Sequence, residues 1–144
     1  MIPQKHGVST TGVFLSEYAG SPAIYKYYKT VSKVEREYSA YSLLVGCNFV
    51  PQVLYFNKDE KCMIFRYMGK SLDIKYKPKD RLIYKQQIQE LNERLISEYG
   101  IYHNDIRWKN IVEHDNGKLY IIDFEKWTDY ERDPRERTLE KIGR

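Results

Sequence analysis

The sequence predicts an α+β fold, with a β-rich N-terminal half carrying one helix and a smaller, mainly helical half after it. Three observations carry this expectation. Runs rich in aromatic and β-branched residues, each bounded by turn residues, recur through the first 67 positions and read as short strands. Residues 80–99 repeat apolar side chains at spacings of four, three and four, the signature of a helix with one buried stripe. Asn116-Gly117 lies between the apolar runs Ile111-Val112 and Leu119–Ile122, a strong hairpin signal.

Each element has a local reason. Val13-Phe14-Leu15 and Glu17-Tyr18-Ala19 read as strand, Gly20-Ser21-Pro22 as a turn, and Ala23–Tyr28 as a further strand, together a hairpin followed by a third strand. Residues 31–45 carry Val34, Tyr38, Tyr41 and Leu44 or Val45 at helical spacing. Ser32 is the expected N-cap, with Glu35 three positions on, and Gly46 and Pro51 end the helix. Two strands follow, Gln52–Phe56 and Cys62–Tyr67, separated by the polar turn Asn57-Lys58-Asp59-Glu60, and Gly69 breaks the pattern. In 80–99 the stripe is Tyr84, Ile88, Leu91 and Leu95, with Asp80 able to cap the start and Gly100 the end. A loop over 103–110 then leads into the hairpin.

Composition sets the outer bounds. A chain of 144 residues, 42% hydrophobic and 31% charged, suits one globular domain and not a disordered segment. Its 14 tyrosines fill a small core and its rim. The formal charge of +4 suits a protein that handles phosphate groups or approaches nucleic acid, and a neutral cytosolic protein nearly as well. No apolar stretch reaches a membrane-spanning length, and the N-terminus lacks the apolar region of a signal peptide. Cys47 and Cys62 lack metal-type spacing and read as reduced core thiols of a cytosolic or nuclear protein, with a single disulfide between them left open. The use of Tyr, Lys, Ile and Asn fits an A/T-rich coding sequence, that of a virus or an intracellular microbe.

The hairpin also brings chemistry together. Asn110 and Asp123 sit at the same end of its two strands and offer an amide oxygen and a carboxylate, the hard ligands that Mg²⁺ (or Mn²⁺) shares with substrate phosphates. Asp105, on the loop just before, is placed to accept a proton rather than to join the metal. A base, a metal-binding amide and a metal-binding carboxylate are what phosphoryl transfer asks of a protein.

These residues carry a resemblance. His103-Asn104-Asp105-Ile106-Arg107-Trp108-Lys109-Asn110 resembles the catalytic loop of the protein-kinase superfamily, H-x-D-x-x-x-x-N, and Ile122-Asp123-Phe124-Glu125 resembles its D-F-G element. Upstream, Gly7-Val8-Ser9-Thr10-Thr11-Gly12 is similar to the glycine-rich loop, with Ser9 in place of the middle glycine, and Ala23–Lys26 stands where the family has V-A-I-K. The resemblance covers 7–127 and implies a kinase-like fold: an N-lobe over 1–68, a truncated C-lobe over 69–128 and a charged tail over 129–144. It implies ATP as co-substrate, held by backbone at Gly7, Ser9 and Gly12, with Lys26 on the α- and β-phosphates. Glu37 is the implied ion-pair partner of Lys26, with Glu35 as fallback, and backbone groups of Arg66 and Met68 would hold adenine between Ile24 and Val112. His103 organises the loop, and Trp108 packs beneath it.

Departures narrow the branch. Asn104 replaces the usual arginine, so no base there reads a phosphorylated activation loop. Arg107 stands where a lysine supports the transferred phosphate, and Glu125 replaces a glycine, so flipping of that element is disfavoured. After Trp127 only 17 residues remain, with no A-P-E segment. These features look more like the atypical branches: small kinases of the Bud32 and RIO type, lipopolysaccharide kinases, and aminoglycoside or choline kinases. The implied function is a minimal Ser/Thr protein kinase with a protein substrate, no direct nucleic-acid ligand and no membrane. The alternatives are a kinase of small molecules or sugars, and a pseudokinase acting as a binding module.

Overall fold

The computed structural model describes residues 12–75 and 81–132. Expectations for His6, Gly7, Ser9 and Asp80, and for the tail beyond 132, lie outside the described residues.

A four-stranded antiparallel sheet comes first. It is formed by β1 (Gly12–Tyr18), β2 (Ser21–Tyr27), β3 (Val53–Asn57) and β4 (Cys62–Arg66) in the order β1-β2-β4-β3. Helix α1 (Val31–Leu43) connects β2 to β3. Strand alternation sorts two apolar clusters. Ala23, Tyr25, Cys62 and Ile64 form a small one, while Met63 and Phe65 join Val34 and Tyr41 of α1 in the main core. The expected three strands around residues 13–28 are two, because Val13 to Tyr18 runs unbroken against β2, from Gly12 opposite Tyr27 to Tyr18 opposite Ser21. The turn is Ala19-Gly20, both at positive φ, and Ser21 and Pro22 already belong to the strand.

Two details of α1 differ from expectation. Its N-cap is Thr30, not Ser32: the Thr30 hydroxyl accepts the Lys33 N–H at 3.2 Å, and the helix starts one residue before the serine. Its buried face is Val34, Glu37, Ala40 and Tyr41, so a glutamate takes the place that the apolar stripe assigned to Tyr38. Tyr38 instead stacks on Phe56 at 3.8 Å near the surface. Leu44 is buried and Val45 is exposed.

The second part holds β5 (Lys70–Ser71), the one-turn α2 (Leu72–Lys75), α3 (Arg81–Tyr99), β6 (Ile111–Glu113) and β7 (Leu119–Ile121). Strands β5, β6 and β7 form an antiparallel sheet in that order. Neither β5 nor α2 is legible in the sequence, because two residues and four are too few to carry a periodicity. Gly69 explains the pairing: at φ +127° it passes so near β6 that a Cβ would lie 2.0 Å from the Glu113 carbonyl oxygen. In α3, Ile88 and Leu95 are fully buried, with Tyr84 and Leu91 packed beside them, as the stripe predicts. Burying each of the first two contributes roughly 2–3 kcal/mol. Gly100, at φ +68°, ends the helix. The hairpin forms at Asn116-Gly117, where the Asn116 side-chain oxygen accepts the Lys118 N–H at 2.9 Å. Phe49, in the segment after α1, is buried and its carbonyl accepts the Ile121 N–H at 2.9 Å, tying the two parts together. Cys47 and Cys62 are both buried free thiols. Among the described residues no helix is long and apolar enough to cross a membrane.

Candidate active site

Lys26 lies on β2 facing α1, and strand pairing sets it opposite Met63. Its ammonium meets three carboxylates: Glu37 at 2.8 Å, Glu125 at 2.8 Å and Asp123 at 3.5 Å. Burial works against the charge, but these carboxylates outweigh it and raise the Lys26 pKa above its ordinary value. Of the two sequence candidates on α1, Glu37 is buried against Lys26 while Glu35 points to solvent.

Glu37 is 1% exposed, so its charge needs several donors. One oxygen takes Lys26 and the Tyr28 hydroxyl; the other accepts the Phe124 backbone N–H at 2.6 Å. Burial first, and the Glu37 charge second, push the Tyr28 phenol far above its usual pKa, so it stays a donor. Phe124 is fully buried, edge-on to Tyr41 and to His103. Asp123 holds φ +65°, a conformation that aspartate tolerates better than most side chains. Burial would raise its pKa, but the Lys26 charge reverses this and keeps the carboxyl below its ordinary range.

The loop over 103–110 builds the other side. Asp105 is 4% exposed. Arg107 donates to both of its oxygens, at 2.8 and 3.1 Å, and the Asn110 amide donates to its carbonyl at 2.9 Å and its carboxylate at 3.2 Å. With its NH₂ so engaged, Asn110 has its side-chain oxygen as the acceptor. His103 joins the halves. Its Nδ1 accepts the Asp105 N–H at 3.1 Å, so the ring proton sits on Nε2, which donates to the Ile122 carbonyl at 2.8 Å. Burial lowers its pKa, and the ring is neutral. The Ile122 N–H in turn reaches the Asn110 carbonyl at 2.9 Å, which puts Asn110 and Asp123 at the same hairpin end. Ser71 fixes the loop from below, its hydroxyl donating to the Lys109 carbonyl at 3.0 Å.

The residues expected to hold adenine are more sparsely tied. Ile24 packs on the main core, and Val112 is buried on β6 opposite Ser71 and Tyr120. The Arg66 N–H already donates to the Gln52 carbonyl at 2.9 Å, so of its two backbone groups only the carbonyl could meet a base. Met68 lies half-buried in the segment before β5. Gly12, at φ +125°, begins β1 opposite Tyr27, and the Phe14 ring lies 3.3 Å from where a Cβ would sit. Trp108 packs against the core under the loop.

Several contributors escape sequence reasoning. Glu125 reads only as a lost glycine, yet it contacts Lys26 as closely as Glu37 does. Asn104, at φ +69°, reads only as a missing arginine, yet its amide donates to the Lys126 carbonyl at 3.0 Å and to the Thr128 hydroxyl at 2.8 Å. Trp127 and Arg36 exchange hydrogen bonds with each other's carbonyls at 2.8 and 2.7 Å, clamping α1 to the segment after Asp123.

Residues 20–141 match the RIO domain. The chain belongs to the RIO domain family. That family comprises atypical protein kinases, and the α+β architecture is kinase-like. A search of curated proteins finds no match to the chain.

Proposed function

We propose that this RIO domain chain is a phosphotransferase that moves the γ-phosphate of Mg-ATP to a hydroxyl, with Ser or Thr of a protein as acceptor. Residues 1–68 and 69–128 act as two lobes of one domain with the nucleotide between them. The observation that carries this reading is the meeting of the two halves at His103, which sets the Asp105–Asn110 pair beside the Asp123–Lys26–Glu37 group.

The donor set fits a hard divalent ion. Asn110 presents an amide oxygen and Asp123 an ionised carboxylate, and a lysine waits beside them. Magnesium, when bound, supplies charge neutralisation on the transferring phosphate. The chain's own residues do the rest. Lys26, oriented by Glu37, binds phosphate oxygens. Arg107, oriented by its bidentate contact with Asp105, faces the transferred group with a guanidinium. Asp105 orients the acceptor hydroxyl and takes its proton. Arg66, Met68, Ile24 and Val112 position the base.

The test is ATP-dependent phosphorylation of a protein panel by the full chain and by Asp105→Ala, with nucleotide binding measured on both. The expected outcome is labelled protein with the natural chain, none with the variant, and binding by both. Equal activity in the variant removes Asp105 from the mechanism. ATP consumption on small alcohols without protein labelling assigns the acceptor to a small molecule. Binding without any turnover assigns a binding module.

A further inference from the structure

The lysine at the centre of the site has one carboxylate more than its structural role requires. Glu37 cannot leave it, being buried and tied also to Tyr28 and Phe124. Asp123 stands off at 3.5 Å and is the proposed metal ligand. Glu125 makes a full 2.8 Å contact, its side chain is 35% exposed, and, unlike Glu37 and Asp123, it has no structural or metal-binding role in this reading, so it is the partner that can yield Lys26. Around Lys26, three carboxylates face one ammonium, which leaves two negative charges uncompensated within that group.

We propose that Glu125 is a built-in competitor for Lys26 that makes nucleotide binding conditional on a divalent cation. This rests on the nucleotide-binding reading above. A bare triphosphate approaching Lys26 meets like charge and must displace the Glu125 carboxylate unaided. A triphosphate that arrives with a divalent cation brings the two positive charges the group lacks. Glu125 is then released from Lys26, and the phosphates take its place. Removing the Glu125 charge relieves the metal-free case far more than the metal-bound one. The glutamate therefore sets selectivity between free and metal-bound nucleotide, apart from any part in the chemical step.

The test is calorimetric titration of the full chain with ATP in excess EDTA and, separately, in excess magnesium, for the natural sequence and for Glu125→Gln. Glu125→Ala runs in parallel to guard against an effect peculiar to glutamine. The natural chain is expected to bind ATP much more weakly in EDTA. Both variants are expected to gain about tenfold in metal-free affinity, a change of ~1.4 kcal/mol, with a clearly smaller change for Mg-ATP. No gain in EDTA, or an equal gain in both conditions, overturns the proposal while leaving nucleotide binding intact. A natural chain that binds no nucleotide even with magnesium overturns both this proposal and the reading beneath it.

Discussion

Glu37 and Asp105 are both buried carboxylates, 1% and 4% exposed, yet they are held in different ways. The bonds of Glu37 reach 9, 11 and 87 positions along the chain, to Tyr28, Lys26 and Phe124. The hydrogen bonds of the Asp105 carboxylate to Arg107 and Asn110 span 2 and 5 positions, and its longer-range ion pair with the exposed Lys126 is loose, at 3.8 Å. A group that joins distant segments contributes to the stability of the whole, because losing it leaves buried donors stranded on several elements. A group held by its own loop can be oriented for chemistry without the rest of the fold depending on it. One carboxylate thus acts as a tie between α1, β2 and the Asp123-Phe124 element, and the other is presented on a preformed loop.

The sharpest way to break this contrast is Asp105→Asn. Turnover is expected to fall by about 10³-fold, the scale of a lost general base. Stability in urea should fall by only about 1 kcal/mol, because asparagine keeps one acceptor oxygen for the loop and the Arg107 guanidinium it partly strands is exposed enough to turn to water. A large loss of stability would put Asp105 in the same structural class as Glu37. Glu37→Ala tests the opposite side. It strands the Tyr28 hydroxyl and the Phe124 N–H and removes the buried counter-charge of Lys26, which costs about 3 kcal/mol, the lower end for a broken buried pair because Asp123 and Glu125 still face Lys26. Chemical denaturation measures it, and a loss under about 1 kcal/mol would dissolve the distinction. Tyr28→Phe is milder. It removes one donor to a charged acceptor, about 1.5 kcal/mol by the same measurement, and leaves the Lys26 contact standing.

The same contrast explains what the sequence could show. The loop over 103–110 is legible because its partners are neighbours: the spacing of Asp105, Arg107 and Asn110 is itself the geometry. Lys26 and Glu37 are legible one step further away, as a strand residue and a helix residue that the family pattern pairs. Glu125 is not legible, since its role depends on Lys26, 99 positions earlier, and a glutamate in a turn looks like a solvated charge. Tyr38 misleads because helical periodicity treats the buried face as apolar, and here a lysine on the neighbouring strand makes a glutamate the residue that belongs there. Ser32 with Glu35 is a sound local capping pattern, but Thr30 already supplies the hydroxyl one turn-start earlier. Strand β5 has no signal beyond Gly69, whose meaning emerges only against the Glu113 carbonyl.

The smallest effect belongs to the residue between the two regions. His103 is buried and neutral, accepting from Asp105 and donating to Ile122, so the native state resists protonation where the unfolded chain does not. Its pKa is lowered from the ordinary 6.5, and the unfolded state therefore binds the extra proton first as pH falls. Its contribution is fully present above pH 6.5 and is lost progressively below that, down toward the native pKa. Asp123, lowered from 3.8, acts by the same rule in a separate window that begins near pH 3.8 and runs lower, so the two do not overlap at mild acidity. Stability measured by denaturation between pH 7.5 and 5 should fall as the pH is lowered. His103→Gln, whose amide can donate to Ile122 and accept from Asp105, should flatten that slope even though it lowers the starting stability. An unchanged slope in the variant would mean that the imidazole gains a proton in the folded state, and that the link between the Asp105 loop and the Asp123 strand is not the neutral hydrogen-bonded bridge described above.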